Sequence, residues 1–171
     1  PKTPNIIFCN NVISHVFDPK DFVKALGVVA EDNTVIVAEF PYLGSIIEKT
    51  AFDIIFHQHI SYFTLKSFSN LIEPFGFYIN DAHLLSVHGG NLRVHLSRKN
   101  RQSFGLDKLL EYEKKKGINS LERVQSFTKK IDSINKETNA LIEKIISEGK
   151  TIMGYGAAGK ATMFVKKFNL D

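Results

Sequence analysis

Two short apolar runs on either side of an amphipathic stretch set the fold class of this chain. Ile6, Ile7, Phe8 and Cys9 form one run, broken by Asn10 and Asn11, and Thr34 to Phe40 forms a second that stops at Pro41. Continuous apolar runs of this length mark strands buried on both faces, as in a parallel sheet. Between them Pro19 and Asp21 open a helix whose apolar positions, Phe22, Val23, Leu26 and Val29 or Ala30, recur at helical spacing. Asp32 and Asn33 then supply the turn. Strand, helix, strand in this order is a βαβ unit and predicts an α/β fold with a parallel, doubly wound sheet. Ligands of such sheets sit beyond the carboxyl ends of the strands, which here are Asn10 to His15 and Glu39 to Tyr42.

Further along, Phe52 to Phe63 is rich in aromatics and histidines and has no clear period. Ser67 to Phe75 reads as a helix closed by Gly76, and Phe77 to Ser86 as a strand. Gly89 and Gly90 turn the chain into another strand, Leu92 to Ser97, where Leu92, Val94 and Leu96 alternate with Arg93 and His95. This hairpin predicts an antiparallel close to the sheet. From Leu106 onward the pattern is helical, with Leu121, Val124, Phe127, Ile131, Ile134, Leu141 and Ile145 on one stripe and Gly149 at its end. Thr151 to Gly154 reads as a new strand and Ala157 onward as a new helix.

Charge and cysteine usage narrow the partners. The net charge of +4 comes from lysines dispersed along helical segments, such as Lys114 to Lys116 and Lys166 with Lys167. Nucleic-acid binding needs basic residues gathered on one face with stacking aromatics among them, so no nucleic-acid partner is expected. No apolar run approaches the roughly 20 residues that span a bilayer, and no basic-then-apolar leader opens the sequence. A single cysteine, Cys9, excludes an intramolecular disulfide. Together these predict a cytoplasmic protein with no membrane contact, in which Cys9 is a small buried hydrophobe.

His57 and His59 stand two apart, as strand residues sharing a face do, but no carboxylate cluster completes a metal site, and none is expected. A general base needs only one histidine, since imidazole takes a proton near neutral pH. Taken singly, each histidine reads equally as a packing residue. Gly154, Gly156 and Gly159 fit the G-x-G-x-x-G turn of dinucleotide sites. Gly154, Gly159 and Lys160 also fit a P-loop, but Ala161 stands where Ser or Thr must hold Mg²⁺, which argues against ATP or GTP hydrolysis. A helix N-terminus with free N–H groups and Lys160 suits a diphosphate. The same glycines also serve close strand–helix packing.

The order of these segments resembles that of the sugar C-methyltransferases, which methylate dTDP-4-keto-deoxyhexoses. The matching stretches are NNVISHVFDPKDFVKAL (Asn10 to Leu26), VIVAEFPYL (Val35 to Leu43), FDIIFHQHISYFTLKS (Phe52 to Ser67), VHGGNLRVHLSR (Val87 to Arg98) and GYGAAGKATMF (Gly154 to Phe164). The resemblance implies that residues 1–100 are the second half of a class I methyltransferase domain with a Rossmann-like sheet. Residues 101–150 are then a helical connection, and residues 151–171 the start of a C-terminal Rossmann-like domain. It implies S-adenosyl-L-methionine as cofactor, contacted by Asn10 and Asn11. The family's glycine-rich turn for that cofactor, and a cysteine-rich zinc domain ahead of it, are expected outside this sequence, so the chain reads as a fragment that is inactive alone. His59 matches the family's base, His15 lines the same pocket, and Gln58 and Phe56 stand where the family usually has Glu and Tyr. The implied acceptor is a nucleotide sugar, contacted by Phe56, His57, Tyr62, His88, Gly89, Asn91, Arg93, Gly156 and Lys160. Three other readings remain open at this point: methyl transfer to oxygen, a methyltransferase-like binding module, and an NAD-binding domain beginning at Thr151.

Overall fold

The computed structural model describes residues 3–156 and 158–170, with the side chain of His88 outside the description. Strand β1 (Ile6–Asn10) leads to helix α1 (Pro19–Val29) and back to strand β2 (Val35–Pro41), the βαβ unit read from the sequence. Helix α1 starts where Pro19 fixes the first φ and the Asp18 carboxylate accepts from the N–H of Lys20 (2.8 Å) and of Asp21 (3.3 Å). A short helix α2 (Leu43–Lys49) and a 3-10 turn (Phe52–Ile54) follow. Then come α3 (Leu65–Ile72), β3 (Tyr78–Leu85), a second turn at Val87–Gly89 and β4 (Asn91–Ser97). Helices α4 (Phe104–Lys116), α5 (Leu121–Ser147) and α6 (Ala161–Phe168) complete the described chain.

The sheet is mixed, in the order β1-β2-β4-β3. Among the described strands β1 and β2 run parallel; β4 inserts antiparallel beside β2, and β3 closes the edge antiparallel to β4. The expected parallel sheet is thus one parallel pair closed by an antiparallel hairpin. Alternate residues Ile36, Ala38 and Phe40 of β2 and Leu92, Val94 and Leu96 of β4 are buried in one core with Val23, Phe68, Ile72 and Leu106. Phe40, Phe63 and Phe68 form its aromatic centre, with ring centroids 4.6–5.6 Å apart. Cys9 is buried in the same cluster, as read from the sequence.

Three local readings are corrected. Helix α3 begins earlier than expected, because Thr64 and Ser67 form a reciprocal capping box ahead of Leu65. The long helical pattern is two helices: α4 ends where Gly117 takes a left-handed φ of 61°, and Ser120 caps α5 by accepting from Arg123 N–H. Of the α5 stripe, Phe127 and Ile131 are buried against Ile46, Ile47 and Ile54, while Leu121, Val124 and Leu141 stay exposed. Residues 151–154 form no strand, since no neighbouring strand among the described residues offers them a ladder. Helix α6 follows and packs Phe168 against Phe52, ring centroids 5.6 Å apart. No helix among the described residues is long and apolar enough to cross a membrane.

Candidate functional site

The loop leaving β1 is the first component. Asn11 adopts a left-handed φ of 53°, which Asn tolerates better than most residues, and its N–H donates to the Glu39 carbonyl at 2.7 Å. The chain then turns so that the Ser14 carbonyl accepts from Ile60 N–H (2.7 Å) and Ser61 N–H (3.2 Å). These bonds stitch the loop to the histidine-rich segment and place His15 and His59 edge to face, 4.8 Å between ring centroids.

Both imidazoles are oriented by peptide carbonyls. His15 Nδ1 lies 2.8 Å from the Gln58 carbonyl oxygen and His59 Nδ1 lies 2.9 Å from that of Ile54. A carbonyl only accepts, so each Nδ1 carries the proton, and in the neutral ring Nε2 holds the lone pair. The Tyr62 hydroxyl donates to the same Ile54 oxygen at 3.2 Å. Burial raises the Tyr62 hydroxyl above its ordinary pKa, with the Phe56 backbone opposing, so it stays a donor. The Phe56 ring lies against His59, 4.3 Å between centroids. His57 is exposed and meets the edge of Phe56, and it sits in a turn rather than on the strand face that a His57–His59 metal pair needs.

The 3-10 turn Phe52–Ile54 gathers further components. A side chain at Gly89 would meet Ile54 Cδ1 at 3.5 Å, and the Gly89 carbonyl accepts from Lys49 Nζ at 2.7 Å. Next to it, Gly90 has φ 130°, and a Cβ there would sit 2.5 Å from Ser45 Oγ, so glycine is required. On the other side of the turn, Asp53 pairs with Lys160 Nζ at 3.3 Å. Gly156 is exposed. His88, between these components in sequence, lies outside the described side chains.

A polar cluster at the carboxyl ends of β1 and β2 is the last component. Buried Glu39 accepts from Asn91 Nδ2 (3.0 Å), Arg93 Nη2 (2.9 Å) and Arg93 Nε (3.2 Å). Asn91 Nδ2 also donates to Asn11 Oδ1 at 3.1 Å. Two acceptors on one side fix the amide orientation, and Asn91 Oδ1 is then a buried acceptor with no protein partner. Asn10 is exposed at the tip of β1. Asn11 belongs to this cluster and His15 to the histidine pair, so one five-residue loop joins the two.

Residues 86–171 match the family described as the C-methyltransferase C-terminal domain, which is half of the chain. The chain belongs to the C-methyltransferase C-terminal domain family. C-methyltransferase NovU of Streptomyces niveus is 26% identical over 160 residues, an overlap that takes in 92% of this chain and 38% of that protein. The chain therefore spans about two fifths of the length of that relative. The segment matched to the family holds Gly89, Asn91, Arg93, Gly156 and Lys160, while the histidine pair precedes it. Sequence reasoning missed Asp53 and the Ile54 carbonyl. It placed Glu39 only at a strand end, although an acid inside the apolar run VIVAEF was the available signal.

Proposed function

We propose that this chain carries the acceptor side of an S-adenosyl-L-methionine-dependent C-methyltransferase, and that the acceptor is a keto sugar linked to a nucleoside diphosphate. The observation behind this reading is the convergence of His59, Tyr62, Gly89 and the Asp53–Lys160 pair on the single turn Phe52–Ile54. His15 is held against His59 from the strand end. Such a site combines a base, an apolar wall and a cation within one neighbourhood, as proton abstraction from an activated sugar requires.

Carbon beside a keto group is acidified by the carbonyl, and His59 Nε2 is the atom that takes its proton. The Ile54 carbonyl fixes which nitrogen is basic and also accommodates the imidazolium, because Nδ1–H stays hydrogen-bonded when Nε2 is protonated. Phe56 walls the ring from water on one side. Lys160, at the N-terminal end of α6, receives the diphosphate. For the cofactor, the orphaned acceptor Asn91 Oδ1 is the test of fit. A buried oxygen without a partner is costly unless a ligand donor reaches it, and the N–H and O–H groups of an adenosyl moiety are such donors. Asn10, Asn11 and Asn91 would hold it. When bound, S-adenosyl-L-methionine supplies an electrophilic methyl group on a sulfonium sulfur.

The exposed Gln58 side chain, which places no carboxylate beside the histidines, favours a second reading in which the domain binds its ligands without turning them over. Among the described residues the glycine motif is not preceded by a strand, so the fold adds nothing in favour of the NAD reading. The deciding experiment follows deuterium from D₂O into a nucleotide-linked keto sugar with no methyl donor present, using the protein expressed from its gene. Exchange is expected, and His59→Ala should slow it about 10²–10⁴-fold, the usual cost of losing a general base. No exchange by the parent protein supports the binding module. Exchange by the variant within about two-fold of the parent, far inside that range, removes His59 from the role.

A further inference from the structure

Away from the histidine pair, on the sheet face opposite the core, β3 and β4 bring a second set of side chains together. Asp81 and His83 stand two apart in β3 and so share a face. His95, in β4, is the direct ladder partner of Asp81. This pairing depends on an irregularity. Register runs from Ile79 opposite Leu96 straight to Asp81 opposite His95, so Asn80 is an extra residue. In a regular ladder Asn80 would take His95 as its partner, Asp81 would stand opposite Val94, and Asp81 and His83 would both turn to the core face. The bulge is itself anchored: Asn80 Nδ2 donates to Ser97 Oγ at 2.7 Å, and Asn80 Oδ1 accepts from Arg101 N–H at 2.8 Å.

We propose that Asp81, His83 and His95 bind a divalent transition-metal ion, with zinc the best match to the donor set. Their three ligand atoms lie within 4.8 Å of one another. Ligands of a tetrahedral zinc with bonds of about 2.0–2.1 Å stand about 3.3 Å apart, so the site closes with small side-chain rotations. Asp81 Oδ2 is already 2.8 Å from His83 Nε2, and an ion replaces the proton between them. The other carboxylate oxygen, Oδ1, accepts from Ser103 Oγ at 2.6 Å, the kind of outer hydrogen bond that orients a metal-bound carboxylate. Along the ladder Arg93 is the partner of His83, and Glu39 already neutralises it; Lys108 lines the same cleft as His83, with its ammonium over the Phe104 ring, 4.5 Å from the centroid. His83 is half exposed, so an ion has a way in. Two imidazoles and one carboxylate leave a fourth position for water. The site joins the two outer strands, and nothing in it depends on methyl transfer.

The test strips the chain with a chelator and titrates it calorimetrically with Zn²⁺, and with Co²⁺ followed by visible absorption. One equivalent of each is expected, with Co²⁺ giving the stronger bands of four- or five-coordination. His83→Gln and His95→Gln should each weaken Zn²⁺ binding by about ten-fold or more, with circular dichroism unchanged. His57→Gln, at a site remote from the cluster, should leave binding as it is. Absence of stoichiometric binding, a Co²⁺ spectrum like that of the hydrated ion, or equal affinity in the His83 and His95 variants overturns the proposal.

Discussion

At the scale of single residues, peptide carbonyls orient the two imidazoles of the candidate site. The Ile54 and Gln58 carbonyls set the tautomers of His59 and His15, but a carbonyl stabilises the imidazolium less than a carboxylate does. Gln58 presents its backbone to His15 and leaves its side chain exposed, so a change there has room. Gln58→Glu adds a carboxylate next in sequence to His59, on the residue whose carbonyl holds His15, and is expected to strengthen the base. Deuterium exchange into the keto sugar, compared at neutral pH between variant and parent, is expected to rise. A rise of up to about three-fold is expected, since only part of the added base strength reaches the transition state; an unchanged rate means that base strength does not limit proton removal. The sequence made the histidines visible as polar residues in an aromatic run, and its order of motifs singled out His59. Which nitrogen is basic was not visible, because the answer lies in a carbonyl five residues away.

At the scale of elements, one buried acid ties three of them together. Glu113, in the last turn of α4, accepts from the N–H groups of Leu65 (2.5 Å) and Lys66 (3.1 Å) and so caps α3 from outside. It also accepts from Asn119 Nδ2 at 3.1 Å and from the Tyr42 hydroxyl at 2.9 Å. Burial, and then the Glu113 charge, push the Tyr42 hydroxyl far above its ordinary range. The pH dependence follows from linkage. Above about pH 10 the unfolded chain gives up that proton while the folded chain keeps it, so stability falls as pH rises. The contribution is about 1.4 kcal/mol per pH unit while only the unfolded form is ionised. Tyr42→Phe should remove it, leaving a shallower slope from Tyr62, Tyr112 and Cys9, whose pKa values are also raised. Urea unfolding from about pH 9 to about pH 11.5, a span that brackets the ordinary tyrosine pKa, measures both slopes; identical slopes would mean that folded Tyr42 ionises freely. In the sequence Glu113 sits in EYEKKK and reads as a solvated charge run. Only packing against α3 makes it a cap, and no local pattern announces that. The Gly117–Ser120 break did carry turn residues, yet the apolar stripe runs across it. Residues 151–154 have the composition of a strand, but a strand exists only where a neighbour supplies the ladder.

At the scale of the whole molecule, residues more than a hundred apart meet at one turn, and their balance of charge decides what the meeting can bind. Lys160, at the start of α6, is bound to Asp53 beside the carbonyl that holds His59. Both side chains are a little over two fifths exposed, so the pair is of the kind worth about 0–1 kcal/mol. A diphosphate offers more: charge-assisted hydrogen bonds contribute about 1.5–3 kcal/mol each, and two negative charges outcompete one. Lys160 can therefore exchange Asp53 for such a ligand at little cost. Lys160→Ala should weaken binding of a nucleoside diphosphate sugar about ten- to a hundred-fold. Asp53→Asn should act oppositely, releasing the lysine and removing repulsion between carboxylate and phosphate, for a gain of about two- to five-fold, as expected for an exposed pair. Calorimetric titration of the protein expressed from its gene with the nucleotide sugar, and separately with S-adenosyl-L-methionine, reads both effects. The second ligand should bind all three proteins alike, since Asn10, Asn11 and Asn91 lie at the strand ends. If Lys160→Ala binds the nucleotide sugar as tightly as the parent, the glycine-rich segment serves packing alone, and the diphosphate must be held elsewhere. If Asp53→Asn weakens binding instead, the ion pair organises the turn, and Asp53 contributes by holding Lys160 in place.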